Sequence, residues 1–188
     1  MRLSYCAASF AVIATMASIA GAAAAGGPQG SAVQGSTTLS YRKPFKDCVG
    51  ADGAMYRQVL HWKGKGTLSS NNAFLNYQKI SNDVDFVQNV KSGVGVVYGT
   101  VAIARTVGGP ATAKGTMQAV WHGNTASGQI ILRALAGSEA GSVFVLNSVF
   151  HLRPPTSTGI DVDIVFGKAA GFTAPANVSA FSNGKACT

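Results

Sequence analysis

The sequence predicts an all-β fold, a single antiparallel β-barrel of about eight or nine strands, and three observations carry that expectation. Beyond residue 36 the chain reads as nine extended runs, several of them with apolar side chains at alternate positions. The runs are separated by short stretches of turn chemistry. Several runs are long, and glycines fall inside them where a sheet that closes on itself must bend.

The runs are 37–41, 55–62, 73–80, 84–90, 94–105, 115–122, 129–136, 142–152 and 160–166, each rich in β-branched or aromatic residues. Between them stand KGKG, SSNN, SND, KSG, VGGPATAKG, HGNTASG, GSEAGS and RPPTSTG, which are Gly, Pro, Asn and Ser in the combinations that turn a chain. None reaches the dozen or so residues of a parallel crossover, so neighbouring strands are expected to be antiparallel. Gly95 and Gly99 lie within one run, which favours closure into a barrel. The alternative is a two-sheet β-sandwich, although the Cys and Trp spacing of an immunoglobulin domain is missing.

The N-terminus reads as export machinery. Residues 1–25 hold one basic residue, Arg2, then an apolar run, then small residues in which Ala23 and Ala25 fit an A-x-A cleavage pattern, so the segment is expected to be a signal peptide. An uncleaved anchor is the alternative, since the run approaches the roughly 20 residues that span a bilayer. Residues 26–36 are Gly, Ser, Pro and Gln with little to bury and read as a flexible leader. Residues 37–188 then form one all-β domain with an irregular tail from about residue 167. The localisation implied is secreted or periplasmic, with nothing spanning the membrane after cleavage.

Cys6 leaves with the signal peptide, and the pair that stays, Cys48 and Cys187, is expected to form a disulfide in an oxidising compartment. In the chain-entropy picture a loop that long stabilises the fold by roughly 5 kcal/mol. Free thiols or a bridge between chains are the alternatives. The sequon at Asn177 would matter only in a glycosylating host.

Without Arg2 the chain has fourteen basic and seven acidic side chains, a net charge of about +7. That sign favours anionic partners weakly, because the charges are scattered singly apart from Arg42 and Lys43. No basic run and no basic residues interleaved with stacking aromatics occur, so specific nucleic-acid binding is not expected.

Strand parity sorts the remaining candidates. In 160–166, Ile160, Val162, Ile164 and Phe166 share one face and Asp161 and Asp163 the other. Met117, Ala119 and Trp121 oppose Thr116, Gln118, Val120 and His122, while Phe144, Leu146, Phe150 and Leu152 oppose Asn147 and His151. Leu60 and Trp62 oppose Arg57 and His61. All three histidines thus join Arg57, Arg133, Asn147, Asp161 and Asp163 on the polar face. If that face lined the lumen, the apolar faces would meet lipid as in an outer-membrane barrel; against this, the chain ends GKACT after an irregular tail rather than in a strand.

Specific chemistry is thinly signalled. The histidines lie on different strands and no H-E-x-x-H or Cys/His cluster occurs, so no metal is expected. Asp161 and Asp163 are neighbours on one strand rather than carboxylates facing across a substrate, and Glu139 lies in a turn. Neither G-x-S-x-G nor a phosphate or dinucleotide loop is present, so no cofactor and no catalytic residue are assigned. The leading expectation is an exported, non-enzymatic barrel that binds a small apolar ligand near Trp62 and Trp121, at the barrel mouth where such sites favour forming. One alternative is an exported hydrolase or isomerase using lumen groups such as His122, Arg133 and Asp161. Another is a surface or adhesion module with an anionic partner.

Overall fold

The computed structural model describes residues 33–167. Ten strands make one sheet: β1 (Gly35–Tyr41), β2 (Lys46–Val49), β3 (Met55–Thr67), β4 (Ser69–Ser70), β5 (Lys79–Asn89), β6 (Val94–Ala104), β7 (Ala111–His122), β8 (Thr125–Ala134), β9 (Val143–Leu152) and β10 (Ile160–Phe166). Strands β3, β5, β6, β7, β8, β9 and β10 pair in sequence order, and β1 joins β10 to β3. Every pairing is antiparallel, so eight strands close an up-and-down barrel with β2 and β4 as additions. The expected barrel is therefore the observed fold.

The apolar faces turn inward. Leu39, Trp62, Phe86, Val97, Met117, Trp121, Ile130, Phe150 and Ile164 belong to one buried cluster in the lumen. The alternation seen in the sequence is thus the inside–outside alternation of a closed sheet. The N-terminal Gly35 end of β1 marks one end of the barrel, and the Tyr41 end marks the other.

Several boundaries differ from the sequence reading, each for a local reason. The KGKG stretch is not a turn: Lys63 and Lys65 point out, while Gly64 and Gly66 point in and leave room for neighbours. A Cβ on Gly64 would lie 2.6 Å from the Tyr41 ring, so the tyrosine occupies the space a side chain would take. Likewise SND is the middle of β5, not a turn between two strands, because Asn82 faces inward and is satisfied there. Its amide donates to the Tyr41 hydroxyl at 2.6 Å and its oxygen accepts from the Gly64 N–H at 2.8 Å. Burial pushes the Tyr41 phenol far above its ordinary pKa, with the Asn82 hydrogen bond opposing in part. Residues 73–78, expected as strand, instead form turns, and β1 begins inside the stretch read as leader. Leu60 does not share the inner face with Trp62, because a bulge between Val59 and Trp62 resets the parity and leaves His61 at φ 50°.

Both ends of the barrel are plugged. At the Tyr41 end, β1 and β2 act as one strand along β3, interrupted by residues 42–45. Pro44 has no N–H to continue the ladder. Phe45 turns in toward Trp62 at 5.1 Å and Phe86 at 4.9 Å between ring centres. The Lys43 backbone oxygen accepts from the Trp62 indole at 2.9 Å, which fixes the interruption to the core. At the Gly35 end, residues 68–78 fold back over the opening, with Leu68 and Leu75 1% and 0% exposed. Two backbone bonds between Leu68 and residues 77–78 close the base of that excursion.

Candidate functional site

Trp62 and Trp121 are each 1% exposed and sit within an aromatic stack rather than at an open mouth. Tyr41 stacks on Trp62 at 3.8 Å and 23°. Phe86 meets Trp121 edge-on at 5.6 Å, and Phe150 lies 6.5 Å beyond. Neither tryptophan lines the grooves described below. They differ in one respect: the Trp62 N–H is bonded, whereas the Trp121 N–H is buried with no hydrogen-bond partner among the described residues.

Most of the residues sorted to the polar face lie outside, but the bulge after Val59 puts Arg57 on the inner face with Val59. His61, His122, His151 and Arg133 are exposed, and Asp161 and Asp163 face away from the lumen between inward Ile160, Val162 and Ile164. Register places His122 opposite Thr125, Thr125 opposite His151 and His151 opposite Asp163, one rung of the outer wall near the Tyr41 end. Asp163 is already engaged: Arg153 donates to its two oxygens at 2.6 and 2.8 Å, and the Thr38 hydroxyl donates at 2.6 Å. Those bonds hold the Asp163 carboxyl below its ordinary pKa. Arg133 pairs in register with Lys114 and Val143 at the opposite end of the sheet, so His122, Arg133 and Asp161 are not brought together. Among the described residues no group of three His, Cys, Asp or Glu converges as metal ligands would.

A concave feature with convergent polar groups lies at the Tyr41 end, a groove of about 470 Å³ between residues 42–47 and the turn 153–159. The strand interruption and the proline pair Pro154 and Pro155 make its walls, because neither segment can continue a ladder. Phe45, Leu152 and Ile160 supply apolar surface, and Arg42, Arg57 and Arg153 supply cationic groups. Arg57 pairs with Asp47 at 3.2 Å and sits 5.5 Å over the Phe45 ring. Arg153 is held by Asp163. Arg42 is exposed and has no hydrogen-bond or ion-pair partner among the described residues. Three scattered arginines and a Pro-rich turn gave no linear motif, so sequence reasoning missed this groove. The adjacency of Arg42 to Lys43, beside Pro44, was the available signal.

A second hollow of about 660 Å³ lies at the Gly35 end, lined by Phe74, Gln78, Arg105 and Pro110 among others. The Gln78 side-chain oxygen is buried there without a partner.

Cys48 is half-buried in β2, while Cys187 lies outside the described residues, as do residues 1–25, most of the leader, the tail and Asn177. Among the described residues no helix is long and apolar enough to cross a membrane. No protein-family model, no curated protein and no solved structure matches this chain.

Proposed function

We propose that the protein is an exported, non-enzymatic binding module that takes a small ligand with an apolar body and an anionic head in the groove at the Tyr41 end. The observation that carries this reading is Arg42, a guanidinium with no partner among the described residues, beside an apolar floor of Phe45, Leu152 and Ile160. Guanidinium recognises carboxylate and phosphate with paired hydrogen bonds, and a charged hydrogen bond contributes about 1.5–3 kcal/mol. The lumen supports the same conclusion from the other side, since its aromatic faces are occupied by one another and by Phe45. Export rests on the N-terminal sequence, and a Cys48–Cys187 bridge belongs to the same reading.

Decanoate, titrated calorimetrically, is a suitable probe. Arg42→Ala should weaken its binding about 10-fold or more, and 1-decanol should bind the unaltered protein less tightly than decanoate. Equal affinity in both comparisons would contradict the reading.

A second reading keeps an apolar ligand beside Trp121, favoured by its buried indole N–H without an acceptor. It requires the ligand to displace packed aromatics, and it would change tryptophan emission on binding.

A further inference from the structure

Basic residues that stand singly along the chain are gathered by the closed sheet onto one stretch of its outer wall. Register runs from Lys65 to Ser81, Ser81 to Ala102, Ala102 to Lys114 and Lys114 to Arg133, so one rung across β3, β5, β6, β7 and β8 carries three cations. Lys63 stands at the next outward position toward the Tyr41 end, and Lys79 pairs with Thr67 at the next one toward the Gly35 end. By contrast β1, β9 and β10 contain no lysine or arginine, and β10 carries Asp161 and Asp163. The wall is therefore polarised in charge around the barrel.

Two features set the basic stretch apart from an ordinary solvated surface. The first is shape. Lys63 and Lys65 on β3 and Lys114 on β7 are long and exposed, whereas Ser81, Thr100 and Ala102 on the two strands between them are short, so the side chains frame a trough of about 510 Å³. Three strand spacings put the β3 and β7 backbones about 14 Å apart. The second is uncompensated charge. Lys114 lies directly opposite Arg133, a like-charged cross-strand pair that costs stability. Lys65, Lys114 and Arg133 have no hydrogen-bond or ion-pair partner among the described residues. The one carboxylate lining the trough, Asp83, is shared by Lys63 at 3.8 Å and His61 at 3.4 Å.

We propose that this trough binds an acidic polysaccharide, a hydroxylated chain with a carboxylate on successive sugars. Repeated anions on one chain meet Lys65, Lys114 and Arg133 together and relieve the repulsion between the last two. The Ser81 and Thr100 hydroxyls donate to and accept from the sugar hydroxyls. A single nucleic-acid strand is favoured by aromatic platforms for its bases, and no aromatic residue lines the trough. An anionic bilayer is engaged by apolar side chains beside the cations, and the outward residues of the trough include none larger than Ala102. The trough shares no residue with the arginine groove, so neither proposal rests on the other.

Calorimetric titration of the mature chain with oligogalacturonate tests this. Lys65→Gln combined with Lys114→Gln should weaken binding about 10-fold or more. Lys46→Gln combined with Lys91→Gln removes the same charge at the Tyr41 end and should weaken it about 2-fold or less. Equal losses from the two pairs would show attraction by net charge alone and overturn the proposal, as would no measurable binding to the unaltered protein. Tighter binding of single-stranded DNA of matched charge, or of vesicles of anionic phospholipid, would give the face a different partner and equally overturn it.

Discussion

The two ends of the barrel are both closed, but by different physics. At the Tyr41 end a four-residue break in a strand drops one ring, Phe45, onto a stack of Tyr41, Trp62 and Phe86, and a backbone oxygen beside it takes the Trp62 indole hydrogen. At the Gly35 end an eleven-residue excursion from Leu68 to Gln78 lays two leucines over the opening. Its own turn is held by Asn72, whose side chain accepts from the Phe74 and Leu75 N–H groups at 3.0 and 3.2 Å. One end couples the plug to a core side chain, the Trp62 indole; the other ties its plug to the residue before β1, where the Gln34 N–H donates to the Asn71 side-chain oxygen and the Asn71 N–H to the Gln34 oxygen, and leaves the Gln78 side-chain oxygen without a donor among the described residues. The coupled end also carries the arginines, so the plug there backs the proposed binding groove on its outer side.

Trp62→Ala removes the ring on which Tyr41 and Phe45 rest and should destabilise the fold by about 3–5 kcal/mol in denaturant unfolding. Leu75→Ala should cost about 2–4 kcal/mol. The same unfolding experiment on Leu75→Ala should leave decanoate binding at the far end intact in the folded protein, whereas a parallel loss of binding would show the ends are not independent.

A finer contrast separates the two indoles. Trp62→Phe loses a bonded N–H and strands the Lys43 oxygen, a cost of about 1–3 kcal/mol beyond the lost volume. Trp121→Phe removes an N–H that has no partner, so its cost should fall below that of Trp62→Phe; the reverse order would show that the Trp121 N–H is engaged.

The smallest effect lies on the outer wall at the Tyr41 end. Because Arg153 and Thr38 hold the Asp163 carboxyl low in the folded state, their contribution is fully present above the unfolded value of about 3.9 and is lost as pH falls through the folded value. Asp163→Asn should reduce stability by about 0.5–1 kcal/mol at neutral pH and converge with the unaltered protein in acid. A difference that persists at pH 2 would assign the effect to something other than this ion pair.

Much of this is legible in the sequence alone. Two-residue alternation in residues 160–166 and 142–152 placed Ile164 and Phe150 inside and Asp163 and His151 outside, since a closed sheet enforces parity all along a strand. Parity failed where the strand itself is irregular, at the bulge beside His61, which put Leu60 on the wrong face. It failed differently at residues 63–66 and 81–83, where Gly and Asn resemble turn chemistry but serve an interior in which Tyr41 needs space and a donor. Of the groove only Arg42 and Lys43 beside Pro44 left a trace in the sequence, because Arg42, Arg57 and Arg153 lie on three segments that only the closed topology brings together.

The lumen is filled by its own side chains, which leaves the rim for the proposed ligand. The chain holds two tryptophans, both within that lumen, so their emission reports it without labels. In the folded protein that emission should be blue-shifted, resist quenching by iodide, and stay unchanged when decanoate saturates the groove. Emission that iodide quenches, or that shifts as decanoate binds, would show an open interior and contradict the account.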